Sequence, residues 1–212
     1  MRKVLVSMGA GRQSRLLKIS GRSFRRYAER HGYDLSVHTE LADPDRPPSW
    51  SRIPLLRGLA DTYDVLLWLD ADLVIVDGSV DIAGEMETGR FLYMVEHQTK
   101  EGQVPNAGVL LLRGGAETIA FLDDVYAQRD LMNHRWWENA AICRLLGYRL
   151  EPTVALQSPT RLLSEHTKFI PPRWNSIPDA PADRPYIRHY PGYSLKVRAA
   201  LMMRDELLRG RG

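Results

Sequence analysis

The sequence has a single cysteine, no long apolar run, no internal repeat and no low-complexity tract. A lone Cys143 forms no intramolecular disulfide and builds no structural zinc site by itself, which excludes a small secreted fold held by covalent staples. The longest apolar stretch, Val65 to Val76, is interrupted by Asp70 and Asp72 and falls short of the ~20 residues a membrane-spanning helix needs. Met1-Arg2-Lys3 is followed only by Val4-Leu5-Val6 before Ser7 and Gly9, too little for the apolar region of a signal peptide. The expectation is a cytoplasmic protein without an anchor. Its 212 residues, 44% of them apolar, are enough to bury one core.

Net charge is only +3, with 26% of residues charged. The basic excess sits at the ends: Arg12, Arg15, Lys18, Arg22, Arg25, Arg26 and Arg30 near the start, and Arg204, Arg209 and Arg211 at the close. Such ends suit anionic partners or a solvated helix face, and would permit a weak peripheral contact with an anionic membrane. No zinc-finger, RRM or KH signature accompanies them, so nucleic acid is not the expected partner.

Strand and helix patterns alternate from the start. Lys3 to Met8 reads as a strand, and Leu16, Leu17, Ile19, Phe24, Tyr27 and Ala28 recur at helical spacing up to Gly32. Asp34 to His38 predicts a second strand, residues 39 to 50 a loop, and Ser51 the cap of a short helix through Leu59. Val65 to Leu69 is uninterrupted and apolar, as in a strand buried on both faces. Further strands are expected at Arg90–Val95 and Gly108–Leu112, and helices at Ala116–Arg129, Trp137–Leu146 and Tyr193–Leu208. Prolines from Pro152 to Pro191 predict mostly irregular chain. The class is therefore α/β, one domain over residues 1–212 with a mostly parallel sheet flanked by helices and a proline-rich C-terminal region.

The sharpest chemical feature is Asp70-Ala71-Asp72, directly after the buried strand. Open α/β sheets bind ligands beyond the carboxyl ends of their strands, and paired carboxylates there suit Mg²⁺ or Mn²⁺. The other reading of the same residues has Asp70 in a turn and Asp72 paired with an arginine. The bare pattern does not decide, since Asp43-Pro44-Asp45 repeats it in a loop.

The rest of the chain adds Tyr27-Ala28, His31-Gly32-Tyr33, Trp50-Ser51-Arg52-Ile53, Leu67-Trp68-Leu69-Asp70-Ala71-Asp72, Asn106-Ala107-Gly108-Val109, Glu138-Asn139, Arg173-Trp174-Asn175 and His189-Tyr190-Pro191-Gly192, in that order. With these motifs the sequence resembles nucleotide-sugar glycosyltransferases of the GT-A fold, and among them the galactosyl, mannosyl and xylosyl transferases of glycosyltransferase family 34. The resemblance implies a Rossmann-like domain with a nucleotide-sugar half over residues 1–113 and an acceptor-side half over 114–212.

It also implies roles. Asp72 would bind Mn²⁺ (or Mg²⁺) against the donor diphosphate, Asp70 would join the metal site by reaching the ribose or a metal-bound water, and His189 would be a third ligand. Ala71 lies between the two acids, and Gly192 would let the backbone approach the pyrophosphate. Ser7, Met8 and Gly9 resemble the seat of the base, with a turn as the other reading. Arg52 stands where relatives often carry Lys. Asn106 and Gly108 would border the donor sugar, the glycine by allowing close approach. Glu138 and Asn139 stand where relatives carry Asp-Gln beneath the sugar, and would orient it and stabilise its oxocarbenium character. Lys196 would reach the departing diphosphate from a slightly shifted position.

Trp136, Trp137 and Trp174 are candidates for stacking on the acceptor sugar or for core packing. The expected activity is metal-dependent transfer of a sugar, from a UDP-sugar by resemblance, to a hydroxyl of a small molecule, glycan or lipid-linked acceptor, with retention of configuration. A sugar-phosphate nucleotidyltransferase and a non-catalytic nucleotide-sugar-binding protein are the competing readings.

Overall fold

The computed structural model describes residues 1–209. β1 (Lys3–Met8) and β3 (Val65–Leu69) are buried along nearly their whole length, as strands covered on both faces must be. The main sheet sets β2 (Tyr33–His38), β1, β3, β6 (Gly102–Arg113), β5 (Leu92–Thr99) and β9 (Thr167–Phe169) side by side in that order. β1 is parallel to β2 and β3, and β5 to β9, while β6 runs against both of its neighbours. The sheet is thus mostly parallel with one reversed strand. β4 (Leu73–Ile75) pairs antiparallel with β10 (Ile187–His189), and β7 (Tyr148–Arg149) with β8 (Ala155–Leu156).

Alternation along each strand divides the core in two. Val4, Val6, Leu66, Trp68, Leu110 and Leu112 face α2 (Arg52–Arg57), α3 (Ala116–Ala127) and α4 (Trp137–Leu146), where Ile53, Leu56, Phe121, Leu122 and Ile142 meet them. Leu5, Val65, Leu67, Leu69, Val109 and Leu111 face the other way, toward Leu16, Phe24 and Tyr27 of α1 (Ser14–His31) and Met202 of α5 (Leu195–Arg209). Each fully buried side chain of this kind contributes about 1.5–3 kcal/mol, so both layers hold the sheet. α1 ends at Gly32, whose φ of 69° supplies the left-handed turn that stops it.

Several sequence expectations shift. Ser51 stands at the N-cap of α2 as expected, but its side chain caps no helix N–H: Pro48–Ser51 is a 3-10 turn, and the Ser51 hydroxyl accepts from the Ala42 N–H at 3.2 Å. The two strands expected at Arg90–Val95 and Gly108–Leu112 extend to form a long hairpin whose register shifts between Met94 and Val95. The helix expected to reach Arg129 stops at Ala127, before a 3-10 turn at Arg129–Leu131. The proline-rich region is less irregular than expected, since it supplies β9 to the main sheet and β10 to β4. The basic run of α1 lies mostly on its exposed face, and Arg26 reaches across to Glu206 of α5 at 2.6 Å. Arg211 lies outside the described residues.

Candidate active site

Asp70 follows β3, and its N–H donates to the Gly108 carbonyl at 2.9 Å, extending the ladder with β6 by one bond. Asp72 sits just before β4. Because β10 is antiparallel to β4 with His189 opposite Leu73, and the Tyr190 N–H donates to the Asp72 carbonyl at 3.1 Å, a histidine far along the chain is brought beside the two acids. One ligand-capable atom each from Asp70, Asp72 and His189 lie within 4.8 Å of one another.

The surrounding bonds fix which atoms face inward. The Gly108 N–H donates to Asn106 Oδ1 at 2.9 Å, so that atom is an acceptor, and it receives Asn175 Nδ2 at 2.9 Å. Asn175 Oδ1 must then accept, and it lies 3.0 Å from His189 Nδ1. Nδ1 therefore donates to Asn175, and Nε2 is the nitrogen that faces Asp72 Oδ1, 3.4 Å away. A ligating histidine whose other nitrogen is held by an acceptor is the usual arrangement. The donor set, two carboxylates and an imidazole, suits Mn²⁺. These residues fit a divalent ion.

Arg52 anchors the other side. It is buried; Nη2 donates to Asp70 Oδ1 at 2.7 Å, Nη1 to the Ala107 carbonyl at 2.5 Å, and Nε lies 3.0 Å from Glu138 Oε1. Trp68 Nε1 also donates to Asp70 Oδ1 at 2.7 Å, so Asp70 Oδ2 is the oxygen left for a ligand. Burial alone would raise the Asp72 carboxyl, yet the facing His189 and Arg198 hold it below the usual carboxylate range. Burial pushes Glu138 up, against the pull of Arg52.

Of the other predicted site residues, Asn139 is occupied by backbone: Oδ1 accepts from the Ala107 N–H at 2.8 Å and Nδ2 donates to the Pro105 carbonyl at 3.0 Å. It braces the strand that carries Asn106 and Gly108 rather than presenting a free amide. Gly108 makes room for the His189 ring: a Cβ there would lie 2.7 Å from His189 Nδ1 and closer still to Cε1. Ser7, Met8 and Gly9 lie buried at the carboxyl end of β1, and Gly9 is required because a Cβ would meet the Gln13 carbonyl at 2.9 Å. Ala71 is buried between the acids, and Gly192 has φ 78° with open space around it.

The three tryptophans do not converge. Trp174 is a core residue, packed on Tyr186 with centroids 4.4 Å apart and donating to Glu85 at 2.8 Å. Trp136 is half-buried under Arg135, and Trp137 is 44% exposed at φ 47°. Lys196 is exposed. Arg198, which sequence reasoning missed, reaches Asp72 Oδ2 at 2.8 Å while its Nε donates to the Tyr193 carbonyl at 2.7 Å. Both readings of the acidic doublet therefore hold at once, a candidate ion site and an arginine pair. Asn175 was visible within a motif but carried no role, and Trp68 was counted only as strand.

No protein-family model matches the sequence, and no curated protein matches it. Among solved structures, the chain is similar to a glycosyltransferase involved in glycosylation of the major capsid of PBCV-1, with TM-score 0.71 and 14% identity over 94% of this chain and 98% of that one. The galactosyltransferase LgtC, solved with donor and acceptor sugar analogs, gives 0.63 and 12% identity over 98% and 95%. The glycosyltransferase GlyE of Streptococcus pneumoniae gives 0.62 and 18% identity over 98% of this chain but 63% of its own. The finer resemblance to family 34 rests on the motifs alone. The architecture and these likenesses agree: the chain has the GT-A glycosyltransferase fold.

Proposed function

We propose that this chain is a metal-dependent glycosyltransferase that moves a sugar from a nucleoside diphosphate, a UDP-sugar, to an acceptor hydroxyl with retention of configuration. The observation that carries the reading is the convergence of Asp70, Asp72 and His189 beyond the carboxyl end of β3, where open α/β sheets bind nucleotides. Asp70, Asp72 and His189 would hold Mn²⁺ or Mg²⁺, which when bound supplies positive charge against the diphosphate as it departs.

The chain's own residues do the rest. Ser7, Met8 and Gly9 seat the base, residues 1–113 supply most of the donor side, and residues 114–212 the acceptor side. Arg52 keeps Asp70 turned toward the ligand, and Glu138 and Asn139 act as positioning residues through Arg52 and Ala107. Lys196, on the first turn of α5, receives the diphosphate beside Gly192. The acceptor oxygen forms a bond to the anomeric carbon from the face the diphosphate leaves. The carbon–oxygen bond to the diphosphate breaks, and the hydroxyl proton passes to the departing diphosphate. The products are a glycoside and a nucleoside diphosphate.

A panel of nucleotide sugars tested by thermal shift and nucleotide release, with Mn²⁺ and with EDTA, checks this reading. The expected result is stabilisation and release by one donor class, dependent on metal and lost in Asp72→Asn. No donor that binds, or release that persists unchanged in EDTA, would overturn it.

A further inference from the structure

α1 and α5 cover the same side of the main sheet, where Leu16, Phe24 and Tyr27 of the first share a core with Met202 of the second. Arg26 of α1 and Glu206 of α5 join them at 2.6 Å. Their outer faces therefore belong to one side of the molecule. On α1 that face is cationic: residues 12–30 hold seven arginines and lysines against one acid, Glu29. This excess is larger than the net charge of +3 of the whole chain, so the remainder is net negative. All seven cations are exposed, and among the described residues only Arg26 has an ion-pair partner.

On α5 the outer face is apolar. Val197, Met203, Leu207 and Leu208 are 43%, 48%, 73% and 59% exposed. Val197, Ala200, Met203 and Leu207 recur at three- and four-residue steps, the spacing of one helical stripe, and Leu208 widens it. Apolar residues exposed singly are ordinary, whereas a contiguous row of them marks a contact surface. The exposed charges beside the row, Lys196 and Arg204, are both positive. The acids of α5 are turned away from it: Asp205 is buried against Arg188 and Tyr190, and Glu206 is held by Arg26.

Charge and hydrophobicity together select the partner. An apolar stripe with cations beside it is how a helix lies in the plane of a bilayer surface, and a basic cluster next to it draws anionic headgroups. A nucleic acid would engage the cations and leave the stripe in water. A second copy docking stripe to stripe would bring two cationic α1 faces together. No described helix is long and apolar enough to cross a membrane, so the contact is peripheral.

We propose that the α1–α5 face docks on an anionic lipid surface, with Val197, Met203, Leu207 and Leu208 entering the boundary between headgroups and acyl chains and the α1 cations resting on the headgroups. The proposal goes beyond the transferase reading and does not depend on it, since neither helix contributes Asp70, Asp72 or His189.

The test floats the full chain with extruded vesicles, either phosphatidylcholine alone or phosphatidylcholine mixed with phosphatidylglycerol. Binding to the mixed vesicles and little to the neutral ones is expected. Leu207→Ser combined with Leu208→Ser should weaken it at least about tenfold, the scale of one leucine withdrawn from an apolar environment. Arg15→Gln, Lys18→Gln, Arg22→Gln and Arg25→Gln combined should also weaken it at least about tenfold, by removing charge from the headgroup contact. Every substituted position is exposed, so both variants should melt as the wild type does.

Absence of vesicle binding, equal binding to neutral and mixed vesicles, or undiminished binding in either variant would overturn the proposal. A DNA duplex bound as tightly as the mixed vesicles, with the leucine variant unaffected, would make the face a polyanion site and overturn it too. So would a dimer in sedimentation equilibrium that the leucine variant dissolves, because the stripe would then belong to a second copy.

Discussion

The guanidinium of Arg198 donates to Asp72 Oδ2 at 2.8 Å, so a positive charge from α5 already rests on one of the two acids that face His189. Arg198 and a divalent ion are therefore competitors for the same carboxylate. Removing the competitor frees the ligand. Arg198→Gln should tighten Mn²⁺ binding in the absence of nucleotide by about tenfold, taking a charge-assisted hydrogen bond at the low end of its ~1.5–3 kcal/mol. Electron paramagnetic resonance titration of free Mn²⁺ measures it, and equal affinity in both proteins would refute the competition.

The His189 ring lies against Gly108, where an added Cβ would come within 2.7 Å of Nδ1. Gly108→Ala must push the imidazole away from Asn175 and turn Nε2 off the acids. We expect Mn²⁺ affinity to fall by about 10- to 100-fold, the range seen when the partners that orient a ligand are lost. Mn²⁺ affinity close to wild type would show that His189 is not held as a ligand by this packing.

Arg52 is enclosed by Asp70, Glu138 and the Ala107 carbonyl. Arg52→Met strands a carboxylate that burial has already pushed up, at a cost of about 3–5 kcal/mol, or a melting midpoint roughly 10 °C lower for a chain of this size. Adding Glu138→Gln should recover part of that loss, because the uncompensated charge goes with it. Arg52→Lys should fall between, since one ammonium cannot serve three directions. Calorimetry on the wild type, Arg52→Met, Glu138→Gln, their double variant and Arg52→Lys decides, and an additive double variant would show that the two residues are not coupled.

What the sequence disclosed and what it hid follow from physical range. β1, β3 and α1 were legible because five to eighteen residues of unbroken pattern outweigh any local ambiguity. The acids were legible for the same reason, standing at the end of an apolar strand. β4 and β10 have three residues each, too few to show a period, so nothing local announced that His189 would pair back beside Asp72. Only the order of motifs suggested it. Arg198 is one arginine among many on a helix, and its partner is chosen by how α5 lies on α1, which local sequence does not encode. The tryptophans stayed ambiguous because large aromatic rings serve cores and sugars equally well: Trp174 lies in the core, where its indole N–H donates to Glu85.

Burial of His97 also sets a dependence of stability on pH. Its folded value near 4 lies below the ordinary 6.5, so between those limits the unfolded chain binds more protons and stability rises with pH. The contribution is fully present above about pH 6.5 and is lost as pH falls toward 4. A depression of this size corresponds to at most about 3 kcal/mol. Denaturant unfolding of wild type and His97→Gln from pH 4 to pH 8 isolates it, because the carboxylates titrate alike in both proteins and cancel in the difference. The wild type should lose stability relative to the variant as pH falls through this window. Parallel curves would mean that His97 gains its proton as readily in the folded protein as in the unfolded chain, and that water reaches its ring.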